Sequence, residues 1–486
     1  MSTKEYDIVI IGAGIAGINA AYRIQSLLPN HTYVILETRE TAGGTWDLFR
    51  YPGVRLDSDI HTFGFSWYPY HDDRNMMDGD SVFKYLNEAA KQCGIDKHIL
   101  FNHRVRHAAW SSKNNQWNVT STHLDKEVCI SATYVFFATG YFDHQEPLRA
   151  QIPGLDDFNG VIVHPQFWPE DLDYSGKRIA VIGSGATAIS LVPKLAETAS
   201  TVTMIQRSPN YILPISSPGG NRLARLLSTT LPHQVKRFAW LAVTLVGYYV
   251  CRKFPGAAKE YLLGLVQRQL PKHIQVDPHF TPRYNVWDQR LLACPDGDFF
   301  ESLHRGNVRV ETANIQTCTP NSIVLDNGKS IDVDLVITAT GHKLLFGGGS
   351  TLEIDGKVCD ISKRFLWNGM MLQDVPNAFF ALGYLTNASW TMGVDVTALS
   401  ACRLINYMAK RDILAAVPLA KGPSDSTVRP LWNLNSTYMA VSGDSLPKSG
   451  IVSPWQPRTN YIVDYLHAKY RLLSEGLEFT RAAQMG

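Results

Sequence analysis

The chain has 486 residues, 45% of them apolar and 19% charged, enough for two or three ordinary domains with cores of their own. Its net charge of only +2 makes too weak a field to draw nucleic acid or an acidic partner. The seven cysteines are scattered and form no CxxC pair, so neither a disulfide framework nor a zinc site is legible and no metal is expected.

In chain order, the first apolar run follows Lys4, Glu5 and Asp7 and is broken by glycines. It reads as a core strand rather than a signal peptide, which sets the expectation of a cytoplasmic protein. The strand, Tyr6 to Ile11, runs straight into Gly12-Ala13-Gly14-Ile15-Ala16-Gly17, a GxGxxG turn that opens a helix toward Leu27. Gly12 permits the tight turn, Gly14 lets backbone approach a pyrophosphate, and Gly17 lets helix and strand pack closely. A second strand, Tyr33 to Leu36, ends on Glu37, twenty residues after Gly17, where a carboxylate accepts ribose hydroxyls. Gly43-Gly44-Thr45-Trp46-Asp47 and Arg50 to Asp57 follow, a Gly/Pro-rich stretch able to lie against a flat ligand, with Trp46 as a packing surface.

The pattern recurs. Arg178 to Ile182 reads as a strand and leads into Gly183-Ser184-Gly185-Ala186-Thr187-Ala188, the GxGxxA variant. After the next strand, Thr201 to Ile205, the place of Glu37 is taken by Gln206-Arg207-Ser208. A carboxylate there repels a 2′-phosphate, whereas a guanidinium and a hydroxyl bind one, so this site predicts NADP rather than NAD. Between and after these motifs, Tyr134 to Gly140 and Asp334 to Gly341 are strands ending in Thr-Gly, where the chain is expected to cross between two nucleotide domains. The fold class is therefore α/β, with two Rossmann-like domains and a helical insertion at about 210–285. The first domain is discontinuous, formed by 1–150 and 341–486, with 151–340 inserted.

One segment stands apart. Phe238 to Cys251 is almost wholly apolar and flanked by Lys236, Arg237, Arg252 and Lys253, yet is shorter than the roughly 20 residues a membrane span needs. A buried helix is expected in preference to contact with a membrane surface.

With these motifs in place, the whole chain resembles the flavin-containing monooxygenase superfamily and, within it, the Baeyer-Villiger monooxygenases of the bacterial ethionamide-activating type. The segment Phe158-Asn159-Gly160-Val161-Ile162-Val163-His164-Pro165-Gln166-Phe167-Trp168-Pro169 fits the family pattern FxGxxxHxxxW between the two glycine motifs. Trp168 separates it from N- and S-oxygenating relatives, which usually end the pattern in Tyr or Phe. Phe158, Gly160, His164 and Trp168 are expected to serve as a linker.

The resemblance implies FAD contacts at Gly12, Gly14, Ala16, Gly17, Glu37, Gly44, Thr45, Trp46, Asp47, Asp57 and the backbone of Val105. It implies NADP contacts at Gly183, Ser184, Gly185, Ala186, Thr187, Ala188, Ile189, Ser190, Arg207 and Ser208. Trp287-Asp288-Gln289-Arg290-Leu291 is similar to the segment that carries the family's catalytic arginine, which falls on Arg290, with Asp57 to orient it. Several members have lysine before that arginine, and Gln289 here removes one cation from the expected NADPH site.

The function so implied is an FAD-dependent, NADPH-consuming monooxygenase that uses O2, through a flavin peroxide, to turn a ketone into an ester or lactone. Asn210 to Pro282 and His342 to Trp390 are expected to wall the pocket, and their apolar character sets the expectation of an apolar ketone or sulfide as substrate. N- or S-oxygenation is the alternative. An FAD disulfide reductase is excluded because no cysteine precedes Cys93; a non-catalytic flavin-binding protein would show no NADPH-dependent oxygen uptake.

Overall fold

The computed structural model describes residues 4–70, 76–215, 231–386, 388–419, 428–432, 439, 441, 443–458 and 460–482. Residues 216–230 of the expected helical insertion lie outside them.

A nine-stranded sheet holds the N-terminal strand Lys4–Ile11 between Lys126–Phe137 and Tyr33–Leu36, all three parallel. Beyond Lys126–Phe137 come the antiparallel strands Gln116–His123 and Arg104–Ser111. Alternation along a strand sends neighbouring side chains to opposite faces. Ile8 and Ile10 accordingly enter one core with the helices Ile15–Leu27, Gly79–Gln92 and Trp390–Ala409, while Val9 and Ile11 enter another with Trp117, Phe137 and Phe380. The chain leaves this sheet after Phe137 and comes back to it at Thr351–Ile354 and Ala378–Phe380.

A second sheet has five strands in the order Val308–Thr312, Thr201–Gln206, Arg178–Ile182, Leu335–Thr338, Val161–Val163, every pair parallel. Its central strands Arg178–Ile182 and Leu335–Thr338 are apolar and buried on both faces, as in a parallel sheet covered on both sides, while the edge strands are partly exposed. Ile179 and Val181 pack with the helix Ala186–Leu195, whereas Ala180 and Ile182 pack beneath the small sheet containing Ile323 and Leu325.

The apolar run Phe238 to Cys251 forms part of the helix His233–Lys253, but the expected burial does not hold. Leu241 and Leu245 are its buried residues, whereas Phe238, Val243 and Val246 are 67%, 66% and 62% exposed. The reason is geometric. The run is apolar around its whole circumference, yet the molecule covers only part of it: Leu241 and Leu245 meet Tyr384 and Met392, Trp240 stacks on His61, Tyr248 meets Trp287, and Cys251 packs on the cluster of Tyr211, Leu262 and Val286. Arg237 fastens this helix by donating to the carbonyls of His61 at 2.7 Å and Gly64 at 2.8 Å. Among the described residues no helix is long and apolar enough to cross a membrane.

Candidate functional site

Both glycine turns open onto one cleft of about 1750 Å³, larger than the few hundred to a thousand Å³ typical of a single small-ligand site.

On the first side, Gly12 lies at φ +103°, and a Cβ there would come within 2.7 Å of the Ala138 carbonyl oxygen; one on Gly17 would come within 1.9 Å of the Gly12 carbonyl oxygen. Strand, turn and helix can approach this closely only without side chains. The amides at the start of the Ile15–Leu27 helix consequently face the cleft beside Gly44, whose Cα lies 3.6 Å from a Cβ built on Gly14. Glu37, at the end of Tyr33–Leu36, is buried. Its carboxylate accepts from the Ala13 amide at 2.6 Å and the Arg39 amide at 2.9 Å. Burial pushes its pKa up against the pull of those amides. A carboxylate has about four acceptor positions, so two bonds leave it capacity toward the cleft it lines. Asp47 is held by ion pairs from Arg39 and Arg50.

On the second side, Gly183 lies at φ +135° against the Ala339 carbonyl, while a Cβ on Gly185 would meet nothing within 4 Å. That open space lies at the N-terminus of the helix Ala186–Leu195, whose first amides have no side-chain cap; a helix start of this kind suits an anion. Gln206 is buried, donating to the His279 carbonyl and to Thr312, so Arg207 and Ser208 are the exposed residues at this strand end. Ser184 Oγ donates to the Ser208 carbonyl at 2.8 Å and Asn210 Nδ2 to the Ser184 carbonyl at 2.9 Å, which fixes the turn.

The cleft brings together Gly12, Gly14, Ala16, Glu37, Gly44 to Asp47, Asp57 and Val105 from the first side. From the second it has Gly183 to Thr187, Ser190, Arg207 and Ser208. Gly17, Ala188 and Ile189 are not on it: Gly17 supplies the close packing, and the Ala188 and Ile189 side chains lie in the core beside the second sheet. Arg290 stands just before the strand Leu292–Pro295 and its Nη2 is 2.8 Å from Asp57 Oδ1, so a residue from each side meets across the cleft. Both are about one-third exposed.

The FxGxxxHxxxW residues are placed differently. His164 donates through Nε2 to the Gly341 carbonyl at 3.1 Å and accepts from the Gln166 amide at Nδ1, a tautomer assigned from these partners. Burial lowers its pKa. Phe158 is buried, Gly160 fits against the Asp334 carbonyl, and Trp168 meets the Tyr174 ring edge-on at 6.1 Å. None of the four lines the cleft.

Of the stretches expected to wall the pocket, 342–390 contributes His342 and Trp390 to the cleft, whereas of 210–282 only Asn210 lines it among the described residues; the Arg55–Asp298 tie and His144 were not anticipated. Arg55 pairs with Asp298 of the helix Asp298–Leu303, a second tie between the loop that carries Asp57 and the far side. His144 and His342 line the cleft as neutral imidazoles, burial pulling their pKa values down to about 4 and about 3. Tyr141 stacks on Trp390 at 4.5 Å along the same wall. Position relative to a motif could have flagged Arg39, two residues after Glu37; nothing local marks His144 or the partner of Arg55.

Two glycine turns on parallel strands, facing one another across a shared cleft that an arginine and a carboxylate bridge, define a protein of the two-dinucleotide-fold class. The flavin-binding monooxygenase-like family matches residues 6–362, and the chain belongs to that family. It is 42% identical over 483 residues to the FAD-containing monooxygenase EthA of Mycolicibacterium smegmatis, across 99% of this chain and 98% of that protein. In fold it is similar to OTEMO in complex with FAD and NADP, with a TM-score of 0.76 at 21% identity over 99% of this chain and 100% of the other. It is similar also to cyclohexanone monooxygenase bound to ε-caprolactone, with a TM-score of 0.73 at 21% identity over 98% and 100%.

Proposed function

We propose that the protein is an FAD- and NADPH-dependent Baeyer-Villiger monooxygenase that converts an apolar ketone to an ester or lactone. The observation that carries this reading is the Arg290–Asp57 pair at 2.8 Å on the wall shared by both glycine turns.

In this reading Gly12, Gly14 and Ala16 would hold FAD, Glu37 would accept from its ribose, and Gly44, Thr45, Trp46, Asp47 and the Val105 backbone would complete its site. NADPH would be held by Gly183 to Thr187 and Ser190, with Arg207 and Ser208 to take its 2′-phosphate. Bound FAD, reduced by NADPH, supplies the activated oxygen, as cofactors carry such chemistry while protein positions and protects it. Arg290 supplies a fixed positive charge beside the reacting atoms. A cation at this range favours the ionised form of a neighbouring acid by about 1–3 pKa units, and its donors stabilise charge developing on the substrate's carbonyl oxygen. Asp57 fixes the direction of the guanidinium through a charge-assisted hydrogen bond. Tyr141 and Trp390 give the substrate an apolar wall and displace water from it.

The EthA relative is called FAD-containing, which agrees with the first half of this assignment, and the lactone in the cyclohexanone monooxygenase neighbour agrees in kind with the product. The test is a panel of apolar ketones and sulfides, scored by NADPH consumption together with product mass. Ester or lactone from a ketone is the expected result; sulfoxide alone, with no ketone turned over, sinks the ketone assignment.

A further inference from the structure

We propose that the exposed face of the helix His233–Lys253 is a docking surface for an anionic phospholipid bilayer. This inference does not depend on the reaction assigned to the cleft.

Val235, Phe238, Val243, Val246, Tyr249 and Val250 recur at helical spacing and are all exposed, so one side of a 21-residue helix presents a continuous apolar stripe to solvent. Its neighbour adds to it. Asn460, the N-cap of the helix Tyr461–Tyr470, donates to the Tyr249 hydroxyl at 3.0 Å, and on that helix Ile462, Val463 and Leu466 are exposed as well. Soluble proteins seldom leave two adjoining apolar helix faces uncovered; such patches mark interaction sites.

Charge identifies the occupant. Between residues 233 and 288, Lys236, Arg237, Arg252, Lys253, Lys259, Arg268, Lys272 and Arg283 stand against the acids Glu260, Asp277 and Asp288; Asp288 pairs with Arg252, and Arg237 is held on the His61 and Gly64 carbonyls. Because the whole chain carries only +2, the remainder is net negative, and Lys236 and Lys253 stand near the two ends of the helix that bears the stripe. An apolar stripe rimmed by Lys and Arg, with aromatic residues near its ends at Phe238, Phe254 and Tyr261, has the layout of a helix lying in the headgroup plane. Negative lipid attracts such a rim. A second copy is the poorer occupant, since a two-fold interface sets the same patch against itself and brings the basic rims together. No described helix is long and apolar enough to span, so the contact is peripheral.

The experiment is flotation of the FAD-loaded full-length protein with vesicles of phosphatidylcholine alone or of phosphatidylcholine with phosphatidylglycerol. The protein should float with the anionic vesicles and at least about ten-fold less with phosphatidylcholine alone, and salt should reduce but not abolish binding. Phe238→Asp with Val246→Asp changes two exposed positions, so FAD content should hold while flotation falls about ten-fold or more. Lys253→Glu, which leaves the apolar stripe intact, should weaken binding to anionic vesicles alone. No flotation of the wild type, or equal flotation of the double variant, overturns the proposal. So does a wild-type dimer in sedimentation velocity that the double variant dissociates, since a second copy then covers the face.

Discussion

The two glycine turns share a topology and differ in how far they are closed. Around the first, a Cβ on Gly17 or Gly12 collides with backbone, Gly44 folds over Gly14, and a buried Glu37 ties the Ala13 and Arg39 amides together. Around the second, Gly183 is as tight, a Cβ there coming within 2.2 Å of the Ala339 carbonyl oxygen, but Ala188 stands in the place of Gly17. Gly185 faces open space where Gly14 has Gly44, and the strand end carries an exposed Arg207 in place of a buried acid. The lesson is that one motif serves two kinds of ligand according to burial. A closed turn with a buried carboxylate suits a cofactor that stays bound, and an open turn with an exposed cation suits one that enters and leaves each cycle.

The sharpest way to break that comparison is to add a methyl group at the closed Gly17, whose counterpart in the second turn is already Ala188, and another at the open Gly185. Gly17→Ala places a Cβ 1.9 Å from the Gly12 carbonyl oxygen, and backbone has to move. A cost upwards of about 3 kcal/mol is expected, in the range of severe overpacking. The purified variant should be colourless and melt well below the wild type. Gly185→Ala meets no protein atom within 4 Å and sits at φ −80°, which any residue adopts. Its melting temperature and FAD content should match the wild type while KM for NADPH rises about ten-fold or more, because the methyl fills space assigned to the pyrophosphate. Equal loss of FAD in both variants would erase the distinction between the turns.

Where the two sides meet, Arg290→Ala should leave FAD binding and NADPH oxidation in place and reduce ester formation by on the order of 10²–10³, as for loss of a charge-stabilising donor. The NADPH consumed should then appear as hydrogen peroxide. A variant that still makes ester at near the wild-type rate refutes the role of Arg290, and one that loses FAD marks it as structural.

At the open turn, Arg207→Ala should raise KM for NADPH by roughly 10–100-fold and leave KM for NADH within a few-fold, since a phosphate contact is worth about 1.5–3 kcal/mol. Steady-state kinetics with both cofactors checks this, and equal effects on the two would detach Arg207 from the 2′-phosphate.

What the sequence made legible is what adjacency encodes. Strand, glycines, helix and acid lie in unbroken order around Gly12 and Glu37, and again around Gly183 and Arg207, so period and spacing were enough to place them on the cleft. Arg290 and Asp57 are far apart in sequence, and a family pattern brought them together where spacing could not. The burial of Phe238 to Cys251 was misread because composition reports how apolar a helix is and not how much of it the rest of the molecule covers; Phe238, Val243, Val246, Tyr249 and Val250 stay exposed. Arg55–Asp298 escaped notice because an ion pair between distant surface-type residues leaves no local trace. His144 escaped for a related reason, as did the neutrality of both His144 and His342, which comes from burial that tertiary packing alone sets.

Those two histidines yield the smallest and most specific expectation. Both line the cleft with pKa values lowered to about 4 and about 3, with burial as the largest cause; the mutual repulsion of His164, His144 and His342 adds to it at His342. An unfolded histidine titrates near about 6.5. Between about 6.5 and the folded values, the unfolded chain therefore binds more protons than the folded one, and stability falls as pH falls through that window. One unit below 6.5, each buried imidazole costs roughly 1.4 kcal/mol. Urea midpoints should thus be flat above pH 7 and drop between pH 6.5 and 5. His342→Gln retains a polar partner for Gln166, whose Oε1 is 3.3 Å from His342 Nδ1, and removes one titrating group, so its midpoint should fall along a visibly shallower slope. An unchanged slope in that variant would place the acid sensitivity elsewhere in the molecule, away from the cleft.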